Sequence, residues 1–268
     1  MAKERILFIN QEIAPYLASS AVSNLGKFLP VSMQEKGFEV RTFMPKFGSV
    51  NERRNQLHEV IRLSGININI ADNDHPLVIK VASLQPSRIQ VYFIDNDDYF
   101  QKLETDTDAS GANRPDNDER AIFFARGTME TAKKLRWEPK VVHCSGWITC
   151  LLPLYIKKLY NDDPSFKNTK IVYTIQPTGP MAAIDTAIFT KLKAEGVAQK
   201  DLKKYGGEAA DVNLLHKLGV DFAHGVIVND PEIDPSLLEY IQESGKPVLM
   251  AQDMALDAQK YLDFYNSL

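Results

Sequence analysis

Short runs of apolar, often β-branched residues alternate along this chain with stretches whose apolar positions recur every three or four residues. Residues 5–9 (RILFI) read as a first strand and residues 40–44 as a second. Strands this apolar are those covered on both faces. Residues 21–35 between them read as a helix. Its Ser-rich entry supplies capping hydroxyls, and Gly37 stands where a helix C-terminus favours glycine. Together they form a βαβ unit. Residues 57–94 follow a different rhythm. The runs 59–63, 66–70, 77–83 and 90–94 are strand-like and separated by Asn, Asp, Pro and Gly turns, a hairpin-rich excursion that rejoins the main sheet. Residues 104–118 (ETDTDASGANRPDND) are polar and carry Gly and Pro, which predicts a mobile surface loop. Residues 119–135 form a helix with Ile122, Ala125, Met129, Ala132 and Leu135 on one face.

The α/β alternation then resumes. Strands at 140–143, 170–175, 225–228 and 247–250 alternate with helices at 147–159, 212–222, 235–243 and 256–264, with an irregular stretch from 176 to about 207. There is no internal repeat, low-complexity segment or Pro/Ser-rich linker. The pattern predicts an α/β fold: a single Rossmann-like domain over residues 1–268, with a mainly parallel sheet flanked by helices and a β-rich hairpin insertion at about 57–94. Ligands of such folds bind beyond the carboxyl ends of the strands. The segments to inspect are therefore 10–24, 145–147, 176–185 and 229–233.

Composition narrows the function classes. The 268 residues are 44% hydrophobic and 25% charged, enough apolar surface for a sizeable core and too much for a disordered chain. A net charge of -4 argues against nucleic acid as a partner, because phosphate neutralisation needs clustered Lys and Arg. Cys144 and Cys150 cannot build a disulfide framework and read as buried thiols of a reducing compartment. The opening MAKERILFIN lacks the apolar core of a secretion signal. No run approaches the ~18 apolar residues of a membrane span. The expectation is a cytoplasmic protein without a membrane partner.

The strand ends carry little recognisable cofactor chemistry. No glycine occurs between Asn10 and Leu25, so the G-x-G-x-x-G of a dinucleotide site is missing, and so is a Walker A loop. The five histidines are scattered and the cysteines lack a second pair, so no zinc spacing exists. Asp95, Asn96, Asp97 and Asp98 form an acidic turn without the spacing of a calcium loop. No cofactor or metal is expected. At Ser19–Ser20 the helix entry either caps itself or cradles an anion on free N–H groups. Glu12 is either a solvated loop residue or an acceptor for sugar hydroxyls. His143 is either a buried structural residue or a sugar ligand and proton donor. It cannot pair with Cys144, because neighbours in a strand point to opposite faces. Trp147 either packs the core or stacks on a ligand.

At these same positions the chain resembles the N-terminal domain of the glycogen synthase/starch synthase glycosyltransferase family. RILFINQEIAPY is similar to the family's strand followed by S-E-x-x-P-F, and LGKFLPVSMQEKGFEVRTFMPKFG to L-P-x-x-L-x-x-x-G-H-x-V-x-x-x-x-P-x-Y-G. FIDNDDYF resembles the next motif, and DNDERAIFF resembles D-N-x-E-R-F-x-F-F. VVHCSGWITCLLPLYIK resembles V-I-H-x-H-D-W-x-T-x-L-x-P-x-Y-L-K, and VNLLHKLGVDFAHGVIVND resembles I-N-x-L-K-x-x-I-x-x-A-D-x-V-x-T-V-S. The resemblance covers nearly the whole chain and implies the first half of a two-Rossmann-domain fold. The implied reaction is glucosyl transfer from ADP- or UDP-glucose to an α-1,4-glucan end.

It also exposes departures. The family's K-T-G-G-L nucleotide loop matches Ala18, Ser19, Ser20, Ala21 and Val22, so its lysine and both glycines are replaced. In H-x-H-D-W the first histidine is kept as His143. Ser145 stands for the second, which serves the transferred sugar in the family, and Gly146 stands for the aspartate. The histidine of T-I-H-N is Gln176. The resemblance also implies a second lobe that supplies most nucleotide contacts, and the chain ends about where that lobe would begin. The candidate sugar-binding set is Glu12, His143, Ser145, Trp147 and Gln176, and Ala18, Ser19, Ser20 and Ala21 mark the altered nucleotide loop. The expected partners are a sugar nucleotide, an α-glucan, and a partner chain or second copy covering the cleft. Three readings follow: a transferase that depends on a partner, a non-catalytic glucan-binding or regulatory relative, and an unrelated small-molecule enzyme on the same scaffold.

Overall fold

The chain enters its sheet at the middle and builds outward in both directions. The computed structural model describes residues 3–101, 114–179, 184–206, 210–251 and 256–268. Strand β1 (Arg5–Asn10) leads to α1 (Ala21–Glu35) and returns as parallel β2 (Glu39–Pro45). The excursion follows as β3 (His58–Glu59), β4 (Ile66–Ile70), β5 (Asn73–Leu84) and β6 (Ile89–Asp95). β3, β4 and β6 all pair antiparallel with β5, and β6 lies parallel to β2. After α2 (Asp97–Phe100) and α3 (Asn117–Lys134) the chain crosses to the other side of β1. There β7 (Val141–Ser145), α4 (Leu152–Lys158), β8 (Lys170–Ile175), α5 (Ile188–Ala194), α6 (Gln199–Leu202), α7 (Val212–Phe222), β9 (Gly225–Val228), α8 (Pro235–Glu243), β10 (Val248–Met250) and α9 (Ala258–Asn266) follow. The sheet order is β10-β9-β8-β7-β1-β2-β6-β5-β3, parallel from β10 to β6. The connections reverse direction between β1 and β7, the switch point at which open α/β sheets form clefts.

Local chemistry accounts for the entry to that cleft. Ser20 caps α1: its hydroxyl accepts from Ser23 N–H, and Ser23 Oγ accepts from Ser20 N–H, a reciprocal capping box. Gly26 lets α1 press on the loop after β1, because a Cβ there would lie 2.2 Å from the Glu12 carbonyl oxygen. One apolar cluster runs through both sides of the sheet, from Phe8 and Ile9 through Leu25, Phe123, Val142 and Tyr173 to Val226.

Several expected boundaries shift. The run 59–63 is a strand only at His58–Glu59. Leu63 and Ser64 then donate to the Val60 carbonyl in a turn that leaves Ile61 75% exposed. The 104–118 loop lies largely outside the described residues. Its end is not loop: Arg114 is buried, and α3 begins at Asn117 with Asp118 buried against Lys191. The helix expected over 147–159 is broken. Trp147–Thr149 is a 3₁₀ turn and α4 starts at Leu152, with Pro153 preset for a first turn. The stretch after residue 176 contains α5 and α6, whose short apolar faces were too brief to show a period.

Candidate functional site

At the carboxyl edge around the switch point the side chains that bridge the strand ends are neutral. On one face of the sheet, β1 ends with Asn10, which is register partner to Ser145 of β7. Ser145 Oγ accepts from Gln176 Nε2 at 3.0 Å, and Gln176 Oε1 accepts from Asn229 Nδ2 at 2.8 Å. This ladder crosses the ends of β7, β8 and β9 on amides and a hydroxyl. Gln11 turns the other way. Its N–H donates to the Ser145 carbonyl, and its Oε1 accepts from Thr178 Oγ1 at 3.2 Å. Gly146, at φ +93, lies against the Gln11 side chain. Beside the ladder opens a cleft of about 610 Å³, walled by Gln176, Thr178, Asn213, His216, Asp230 and Glu232 among others. His216 is held there by Tyr173, whose hydroxyl lies 2.7 Å from Nδ1. Burial pushes its pKa down to about 4, so the ring is neutral.

The sequence-derived set divides. Ser145 and Gln176 meet directly. His143 lies one step below Ser145 on the same face, but it does not reach the cleft. It is 1% exposed, with Nδ1 2.6 Å from the Tyr265 hydroxyl and Nε2 2.5 Å from Thr174 Oγ1. Burial lowers its pKa to about 3. α9 has closed that face, so the sugar-ligand reading of His143 gives way to the structural one. Trp147 is fully buried and presents no face to a ligand, which corrects the stacking reading. Glu12 stays at the edge, half-buried, and accepts from Ser20 Oγ at 3.1 Å. Ala18, Ser19, Ser20 and Ala21 are exposed, and Ser19 and Asn24 bond each other. The capping half of the Ser19–Ser20 alternative is seen directly, with Ser20 Oγ accepting from the Ser23 N–H. Cys144 and Cys150 are buried free thiols with pKa values raised by burial.

Asn10, Gln11, Asn229 and His216 belong to this region and were not singled out from the sequence. Asn10 and Asn229 were findable, since each immediately follows or ends an apolar strand. Gln11 lies within the strand-end segment 10–24, whereas nothing local marks His216. Among the described residues no group of three or more His, Cys, Asp or Glu could hold a metal ion, and no helix is long and apolar enough to cross a membrane.

Residues 5–245 match the family model described as starch synthase catalytic domain. The glycogen synthase of Chlorobium limicola is 36% identical over 213 residues, covering 79% of this chain and 43% of that protein. The glycogen synthase of Chlorobium phaeovibrioides is 34% identical over 229 residues, covering 85% of this chain and 46% of that protein. The chain thus spans less than half the length of these curated relatives. Among solved structures, the catalytic domain of starch synthase IV from Arabidopsis thaliana bound to ADP and acarbose superposes with a TM-score of 0.72 at 16% identity, over 92% of this chain and 52% of that one. At that identity the likeness speaks for the fold.

Proposed function

Because the chain belongs to the glycogen and starch synthase family, we propose that it acts in α-glucan synthesis as a saccharide-binding lobe whose own residues no longer hold a donor pyrophosphate. The reading rests on one observation above all. The edge that would face ADP- or UDP-glucose carries a neutral ladder, Ser145–Gln176–Asn229, and a loop, Ala18–Ser19–Ser20–Ala21, without a cation. Developing phosphate charge needs preorganised cations or free N–H donors. Ala18 supplies no charge, and Ser20 spends the Ser23 N–H on its own cap. Losing one such donor costs roughly 100–1000-fold in rate. Glucosyl transfer therefore depends on groups from a partner surface.

Saccharide binding makes no such demand. Hydroxyls are recognised by amides, carboxylates and neutral N–H donors, and the cleft beside the ladder offers all three in Gln176, Asp230 and His216. The solved relative holds ADP and acarbose. On this reading the present chain keeps an oligosaccharide partner and has lost its grip on the nucleotide. Calorimetry with maltooligosaccharides, beside an assay for ADP or UDP release from the sugar nucleotide with glycogen present, tests it. Saccharide binding without nucleotide release is the expected result. Sustained turnover by the purified chain alone would overturn it.

A further inference from the structure

The opposite, amino edge of the sheet carries a positive cluster with one neighbouring carboxylate, Asp221, which favours the charged form of Lys246. Lys170 opens β8, His224 immediately precedes β9, and Lys246 lies just before β10. Val226 is register partner to Val248, which sets His224 beside Lys246 on neighbouring chain segments. Lys157 reaches the same place from the last turn of α4. Single lysines here have an ordinary explanation, since helix C-termini favour cations. Lys246 Nζ indeed donates to the Ala223 carbonyl, 2.8 Å away, at the end of α7. The group as a whole has none. Among the described residues Lys157, Lys170 and Lys246 make no ion pair. The neighbouring carboxylate, Asp221, is already held by Lys204, Tyr205 and Tyr240, and Lys158 is paired with Asp201 at 2.7 Å.

The groups feel one another. Lys157 is lowered to about 8, first by burial and then by Lys246, Lys158 and Lys170. His224 is lowered to about 4, again by burial first and then by Lys157, Lys170 and Lys246. His224 Nδ1 accepts from the Ile171 N–H at 3.0 Å, so in the neutral ring the proton resides on Nε2, which is a donor.

We propose that Lys157, Lys170, Lys246 and the Nε2–H of His224 form a binding site for a phosphoryl dianion, on the edge remote from the saccharide cleft. Ammonium groups gathered at one edge of the sheet repel one another, which a multivalent anion bound among them would relieve, and charge-assisted hydrogen bonds to phosphoryl oxygens are the strong kind. The ligand is either free phosphate or a phosphate ester, and the same chemistry serves both.

Titration calorimetry of the full chain at low ionic strength, with inorganic phosphate and separately with glucose 1-phosphate, tests the site. Saturable binding of one equivalent is expected. Whichever probe binds more tightly identifies the free ion or the ester as the better ligand. Lys157→Gln and Lys170→Gln should each weaken binding roughly tenfold, the loss of one charged hydrogen bond. His224→Asp keeps an acceptor for the Ile171 N–H and should abolish binding while raising the melting temperature without phosphate. At pH 8 binding should take up part of a proton, read from its heat in two buffers of different ionisation enthalpy. No saturable binding of either probe, or affinities unchanged in both lysine variants, would overturn the proposal.

Discussion

Gly146 and Gln11 exclude one another's alternatives. A Cβ on Gly146 would fall 2.7 Å from both Cβ and Oε1 of Gln11, and Gly146 sits at φ +93, where side chains are strained. The family's aspartate at this position is therefore closed to this chain by its own β1–α1 loop. Gly146→Asp should lower stability by about 2–3 kcal/mol from backbone strain and the clash. Adding Gln11→Gly, which removes both clashing atoms, should recover the part due to the clash and leave the part due to φ. Denaturant melts of the single and double variants read both; a Gly146→Asp variant as stable as the parent would refute the steric account.

Restoring the family's sugar-site histidine should not restore transfer. Ser145 is 5% exposed and is bonded to Gln176. Ser145→His would break that bond and force a larger ring into a closed ladder, and on the proposed function it would add nothing that holds the donor phosphates. Nucleotide release should stay at background and the melting temperature should fall. A release rate rising tenfold or more would count against the proposed function.

The ladder itself should report on saccharide binding. Gln176→Leu leaves Ser145 and Asn229 without their shared partner, which costs about 1–3 kcal/mol for buried polar groups. It also removes a polar wall of the cleft. Maltooligosaccharide affinity should drop at least tenfold in calorimetry. Unchanged affinity would move the saccharide site elsewhere.

Acid should weaken the fold through its buried imidazoles. His143 and His216 have folded-state values of about 3 and about 4, below the unfolded value near 6.5. Between these limits the unfolded chain binds more protons, so stability falls as pH drops below about 6.5 and the loss ends near the folded values. Each group should remove about 2 kcal/mol by pH 5. His143→Gln should flatten that part of the profile in melts run from pH 8 to pH 5. An identical slope in parent and variant would show that His143 is protonated at little cost.

Ser20→Ala should destabilise α1 by about 1 kcal/mol through loss of the cap. The same change frees the Ser23 N–H. Ala18→Lys combined with Ser20→Gly should therefore raise ADP affinity measurably, whereas Ala18→Lys alone should do less, because the capping box still occupies that donor. Equal ADP binding in both variants would show that the cap does not limit phosphate binding there.

Much of the fold was legible from periodicity. The apolar runs at β1, β2, β7, β8 and β9 could only be strands covered on both faces, and Ser20 announced its helix because capping is a matter of neighbours three residues apart. The ends of those strands pointed to Ser145 and Gln176, which do meet. What periodicity cannot carry is the identity of the group that covers a buried side. His143 loses its claim to a ligand because Tyr265, 122 positions later, sits on it. Gly146 is fixed by Gln11 across the switch point, and the lysines of the amino edge are strangers in sequence until β8, β9 and β10 lie side by side. Local spacing determines which face of an element is apolar. Only the packed chain determines which distant residue that face meets, and here that second determination shaped the candidate site.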